Sequence, residues 1–179
     1  ARTYPDNSSA HILGYVSQIS AKDLKTKKYL KDLSVPGMTI GKTGLERKLD
    51  EKIIGKAGFK RYEVNAFGKR IKEIQINEGI AGESFKTTLD YEVQKYTNQL
   101  LEDKAAAVCV MDVYNGDIVS LVSSPSFQPN AFVHGLDKKY WNSLISNAKK
   151  PLTNKAMSGL YPPGSTTVSY THLTLPTTD

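Results

Sequence analysis

The chain has 179 residues, is 39% hydrophobic and 23% charged, and carries a formal net charge of +6 and one cysteine. That length allows one ordinary domain or two small ones, and the composition excludes a disordered tract and a disulfide scaffold. No stretch reaches the ~18 apolar residues that cross a bilayer, and no basic-then-apolar leader follows Ala1, which bears on these residues only.

In chain order, residues 11–19 are predicted as a strand. Ser20 then caps a short helix with Asp23 three residues on, and Pro36-Gly37 breaks the chain. Thr43 and Glu46 have capping-box spacing, and Leu45, Leu49 and Ile53 follow at four-residue steps. One helix is therefore predicted up to Gly55. Tyr62 and Val64 alternate with Arg61 and Glu63, and Ile74 and Ile76 with Glu73 and Gln75, around a turn at Ala66-Phe67-Gly68-Lys69. That is a hairpin.

A short strand is expected at 85–89. Asp90 is an N-cap for a helix whose apolar face should be Val93, Tyr96, Leu100 and Leu101. Residues 106–111 form an apolar strand, Asn115-Gly116 a turn, and 118–122 the return strand. Asp137 is placed to cap a helix carrying Tyr140, Trp141, Leu144 and Ile145. The boundary between two modules falls near Gly79 to Gly82.

The lysine clusters at 22–31 and 69–72 are interrupted by acids and read as solvated faces, so no nucleic-acid partner is implied. Cys109 sits in an apolar run and reads as a buried structural thiol. His11, His134 and His172 are scattered, and no spacing suits zinc or another cofactor. Two strings remain, Lys42-Thr43-Gly44 and Tyr161-Pro162-Pro163-Gly164-Ser165-Thr166-Thr167. Both belong to the vocabulary of penicillin-interacting serine enzymes, where a lysine one helical turn after the serine takes its proton. The first string lies upstream of Ser165 and reads equally as a loop entering a helix. Ser165 alone reads as a turn serine or as a nucleophile.

Residues 2–167 as a whole resemble the elongation-type class B penicillin-binding proteins. The matching blocks come in family order: Tyr4-Pro5 with Ala10-His11-Ile12-Leu13-Gly14-Tyr15-Val16, Ile40 to Glu46, Tyr62 to Asn65 with Gly68, and Thr88-Leu89-Asp90. Val110-Met111-Asp112 with Asn115-Gly116, Ser124 to Phe127 with Pro129-Asn130, and Tyr161 to Thr166 complete them. The resemblance implies an α+β fold: a pedestal (dimerisation-type) domain over 1–85, then the start of a serine transpeptidase, β-lactamase-like domain over 86–167. It implies a periplasm-facing D,D-transpeptidase with an N-terminal membrane anchor. Ser165 would be the acylated residue, and stem peptides ending in D-Ala-D-Ala and β-lactams would be its ligands. No cofactor is implied. The pedestal is expected to contact a glycosyltransferase and a scaffold protein of the elongation machinery.

One departure stands out. Lysine is expected three residues after the serine, and Val168 stands there. Residues 168–179 are therefore expected to be a non-native tail and the chain inactive. A non-catalytic pedestal module that docks onto partners is the alternative. A basic protein binding an anionic polymer rests on the charge alone.

Overall fold

The structure is a computed structural model and describes residues 2–30, 37–102 and 104–162. The first half carries α1 (Ala10–Leu13), β1 (Val16–Gln18), α2 (Ala21–Thr26), a 3-10 turn (Lys28–Leu30), β2 (Thr39–Gly41), α3 (Gly44–Lys48) and α4 (Asp50–Ile53). The hairpin β3 (Phe59–Val64) and β4 (Arg70–Asn77) follows. The second half carries α5 (Tyr91–Leu100), β5 (Ala106–Met111), β6 (Ile118–Ser124), α6 (Pro129–Val133), α7 (Lys138–Ser146) and α8 (Lys155–Ser158). Among the described residues the strands make three antiparallel pairs, β1 with β2, β3 with β4 and β5 with β6. Mixed helices and strands in this order give the α+β architecture expected.

Several local signals act as the sequence says. Ser20 and Asp23 form a reciprocal capping box at the start of α2. The Asp90 side chain accepts from the Val93 amide at 3.0 Å. The β3–β4 turn is closed by Asn65, whose side-chain oxygen accepts from the amides of Phe67 and Lys69.

Others do not. The strand expected at 11–19 starts only at Val16, because Asp6, Ser8 and Ser9 turn the chain into α1. The helix expected from Thr43 to Gly55 breaks at Leu49 into α3 and α4. Thr43 makes no capping bond, and Glu46 instead binds Arg2 at 3.0 Å and accepts from the Tyr4 hydroxyl at 3.3 Å. Residues 85–89 form no strand; their segment is hydrogen-bonded to β6 by Thr88 Oγ1 to Ile118 O at 2.8 Å and, next to it, Asp90 N to Val119 O at 2.9 Å. Cys109 is exposed, because β5 pairs with β6 alone and its Cys109–Met111 end is uncovered.

The apolar core joins the two halves. Ala10 packs with Phe127, Phe132 and Leu144, and Tyr15, Leu136 and Tyr140 close around them. Tyr15 lies against Phe132 at 4.1 Å between ring centroids, and Phe127 meets Phe132 edge-on at 5.4 Å. Two glycines let the backbone of α1 cross that of α3. Gly14 has φ +81°, and a Cβ there would lie 2.0 Å from the Thr43 carbonyl oxygen. Gly44 has φ +58°, and its Cβ would lie 2.4 Å from the Ile12 carbonyl oxygen.

Candidate functional site

Ser165 lies outside the described residues, as do residues 168–179. What the structure describes is the part of the chain that precedes them. Its frame is built on β6, whose sequence Ile118-Val119-Ser120-Leu121-Val122-Ser123-Ser124 buries three serines. Buried hydroxyls must find partners, and each does. Ser120 donates to Gln94 Oε1 at 2.9 Å, and Ser124 donates to the Leu101 carbonyl at 2.8 Å. Ser123 donates to the Thr153 carbonyl at 3.2 Å and accepts from the Lys155 amide at 2.9 Å. The Asn154 side chain caps α8 through the Met157 amide and donates to the His11 carbonyl at 3.3 Å. The start of α8 is thus pinned to β6 and to α1.

Gln94 is the centre of the frame. It is completely buried, and its amide makes four hydrogen bonds. Nε2 donates to the carbonyls of Ser8 and Leu121 at 2.8 and 2.9 Å, while Oε1 accepts from Ser120 Oγ and from the Leu121 amide at 2.9 and 2.8 Å. This uses the amide's full capacity. It also inverts the expected helix face. Gln94 and Thr97 point inward on α5, and Val93, Tyr96 and Leu100 are turned out.

The N-terminal segment is stitched to the same frame. Asn130 accepts from the Tyr4 amide at 2.9 Å and donates to the Tyr4 carbonyl at 2.8 Å, as a strand partner would. Ser126 donates to the Asn7 carbonyl and the Tyr91 hydroxyl to Asp6, both at 2.8 Å. Burial alone would raise the Asp6 carboxyl; the Ser8 hydroxyl and amide and the Tyr91 hydroxyl outweigh it and hold it below its ordinary value. His11 sits edge-on to Phe127 at 5.2 Å. Burial, with Lys155 nearby, pushes its imidazole down to about 4, so the ring is neutral at pH 7. The backbone carbonyls of Pro125 and Pro151 beside the ring favour the imidazolium and offset part of that burial.

The Lys42-Thr43-Gly44 string is accounted for without catalysis. Lys42 Nζ lies 2.5 Å from Asp23 Oδ2, and Gly44 serves the backbone crossing described above. Burial would raise Asp23, but Lys42 and Ser20 bring its carboxyl to about 2. Nearby, buried Asp50 accepts from the Gly41 amide at 2.8 Å, Lys27 Nζ at 2.6 Å and the Tyr29 hydroxyl. These clusters are complete in themselves and pin the loops of the first half. Among the described residues no His, Cys, Asp or Glu group could hold a metal ion. No described helix is long and apolar enough to cross a membrane.

Sequence reasoning did not find Gln94 or the β6 serines. The signal was present in a strand with serines at 120, 123 and 124 beside a helix with one glutamine on its inner face, but it needed the packing to be read.

Comparison with known proteins gives a consistent result over nearly the whole chain. The family model of the penicillin-binding protein dimerisation domain matches residues 1–87, and that of the penicillin-binding protein transpeptidase domain matches residues 106–174. A peptidoglycan D,D-transpeptidase MrdA of Salmonella typhimurium is 38% identical over 172 residues, covering 94% of this chain and 28% of that protein. Penicillin-binding protein 3 of Bacillus subtilis is 34% identical over 169 residues, 93% of this chain and 24% of that protein. The chain therefore spans about a quarter of the length of these relatives. Among solved structures, penicillin-binding protein 2 (PBP2) of Helicobacter pylori in complex with MreC superposes with a TM-score of 0.79 at 30% identity, over 99% of this chain and 33% of that one. PBP2 of Pseudomonas aeruginosa gives 0.73 at 31% identity, over 92% and 32%.

Proposed function

The chain belongs to the penicillin-binding proteins, and from that premise we propose that it is the pedestal and opening portion of an elongation-type peptidoglycan D,D-transpeptidase in which Ser165 is the acylated residue. The observation that supports this reading is the sequence run Tyr161 to Thr166, which follows α8 in the chain. In the intact protein, Ser165 Oγ attacks the carbonyl between two terminal D-alanines. Its proton goes to a base, and the terminal D-alanine leaves with an acyl-serine formed. The amine of a neighbouring stem then displaces the serine and completes the cross-link. A β-lactam takes the donor's place and remains on the serine. Backbone amides at the developing oxyanion contribute roughly 2.7–4 kcal/mol per donor in such sites.

Val168 stands where the family places the lysine base, so this 179-residue chain is expected not to acylate. The test is fluorescent penicillin followed by peptide mass spectrometry. The intact protein should carry its adduct on the peptide containing Ser165, and the chain alone should remain unlabelled. An adduct on another residue, or stoichiometric labelling of the chain, contradicts the assignment.

A second reading rests on a separate observation. The β3–β4 hairpin exposes Phe67, Ile71, Ile74 and Ile76, with Phe67 94% exposed. An apolar hairpin with neither face covered suits a docking surface. The partners would be the scaffold protein and glycosyltransferase of the elongation machinery, at the periplasmic face of the inner membrane. The chain should be retained by an immobilised scaffold ectodomain, and Phe67→Asp should abolish retention; undiminished capture of that variant would dismiss the hairpin as the docking surface.

A further inference from the structure

Two depressions lie side by side where the halves of the chain meet, and Tyr15 and Trp141 line both. One, of about 380 Å³, is also lined by His11, Thr43 and Asn154. The other, of about 400 Å³, opens past Lys42 and Lys138. Their shared walls are held by packing: Tyr15 lies on Phe132, and Phe132 meets Trp141 edge-on at 6.4 Å. Trp141 is nonetheless 39% exposed.

The polar groups in the first depression are neutral and partly unspent. The Thr43 side chain is exposed and its hydroxyl makes no cap bond to α3. At the rim of the second, Lys138 forms no ion pair among the described residues, while Lys42 is shared with Asp23. Fixed aromatic walls suit the apolar face of a sugar ring, and neutral donors and acceptors suit its hydroxyl and amide groups. The ammonium at the edge suits a carboxylate. Two adjoining depressions with common walls match consecutive rings of a polymer better than an isolated small molecule.

We propose that this double depression holds a segment of glycan strand, two consecutive amino-sugar rings lying on either side of Trp141 with a carboxylated substituent toward Lys138. The proposal rests on the reading that the intact protein works on peptidoglycan. It adds a binding site for the sugar backbone, separate from the serine that acts on the peptide.

Trp141 is the sole tryptophan, so its fluorescence reports on the site directly. The 179-residue chain would be titrated with tetra-N-acetylchitotetraose, with muramidase-released disaccharide pentapeptide, and with free stem pentapeptide. Both sugar-bearing probes should give a saturable change, the disaccharide pentapeptide binding more tightly, and the free pentapeptide none. Thr43→Val, at an exposed position, should weaken sugar binding by about two- to tenfold, the effect of one hydrogen bond. Trp141→Ala, read by calorimetry, should weaken it by about tenfold or more. No saturable response to either sugar probe in the folded chain overturns the proposal. So does equal binding of the free pentapeptide, or an unchanged Thr43→Val variant. Penicillin labelling of Ser165 in the intact protein is read separately: labelling without sugar binding removes this inference and leaves the transpeptidase reading, and sugar binding without labelling does the reverse.

Discussion

Between α5 and β6 the chain buries a glutamine and three serines, while in the β3–β4 hairpin it leaves phenylalanine and three isoleucines in solvent. The contrast runs against residue type and follows partnership instead. A buried amide or hydroxyl is tolerated when every donor and acceptor is answered, and Gln94 is answered four times. An isolated two-stranded hairpin has no layer to pack against, so its apolar side chains stay exposed. The polar seam ties α5 to β6 and reaches the first half through the Ser8 carbonyl; the hairpin holds nothing within the chain.

Removing Gln94 should have the largest effect. Gln94→Ala strands two carbonyls, a hydroxyl and an amide, and should lower the free energy of unfolding by about 3–4 kcal/mol. Urea unfolding would show this as a fall in midpoint with little change in slope. A loss below about 1 kcal/mol would mean that water replaces the amide and that the seam does not tie α5 to β6 as described.

Next is the pH dependence tied to His11. Its folded value of about 4 lies below the ordinary 6.5 because burial disfavours the imidazolium. Between these values the unfolded chain takes up a proton that the folded chain refuses. Stability is therefore full above about pH 6.5 and drains as pH falls toward 4, by at most about 3 kcal/mol. Unfolding curves across that window, with and without His11→Asn, would check it; a wild-type slope that persists in the variant assigns the effect elsewhere.

The hairpin should give the smallest change. Phe67→Asp should alter unfolding by no more than about 0.5 kcal/mol. A larger loss would show that the hairpin packs against the chain, and the contrast with the seam would collapse.

Much of the fold is legible in the sequence where one local interaction decides. The Ser20–Asp23 box, the Asp90 cap and the alternation from Tyr62 to Ile76 each specify an element that the structure contains. Legibility fails where a distant partner decides. The spacing of Val93, Tyr96 and Leu100 predicts an inner face, but Gln94 finds Ser8 and Leu121 and turns the helix over. Glu46 is drawn from a capping role by Arg2 and Tyr4, and Cys109 lies on an uncovered strand end. Ser165 is proposed on the run that contains it, since a serine after Pro-Pro-Gly has no periodic or capping signal to mark it, and it lies outside the described residues.

Amide hydrogen exchange on the 179-residue chain tests the contrast between seam and hairpin most directly. The account predicts slow exchange at Leu121 and Lys155, whose amides are held by Gln94 and Ser123, and fast exchange through Tyr62 and Ile74 in the hairpin. Equal protection in the two regions, or a hairpin slower than the seam, would contradict it.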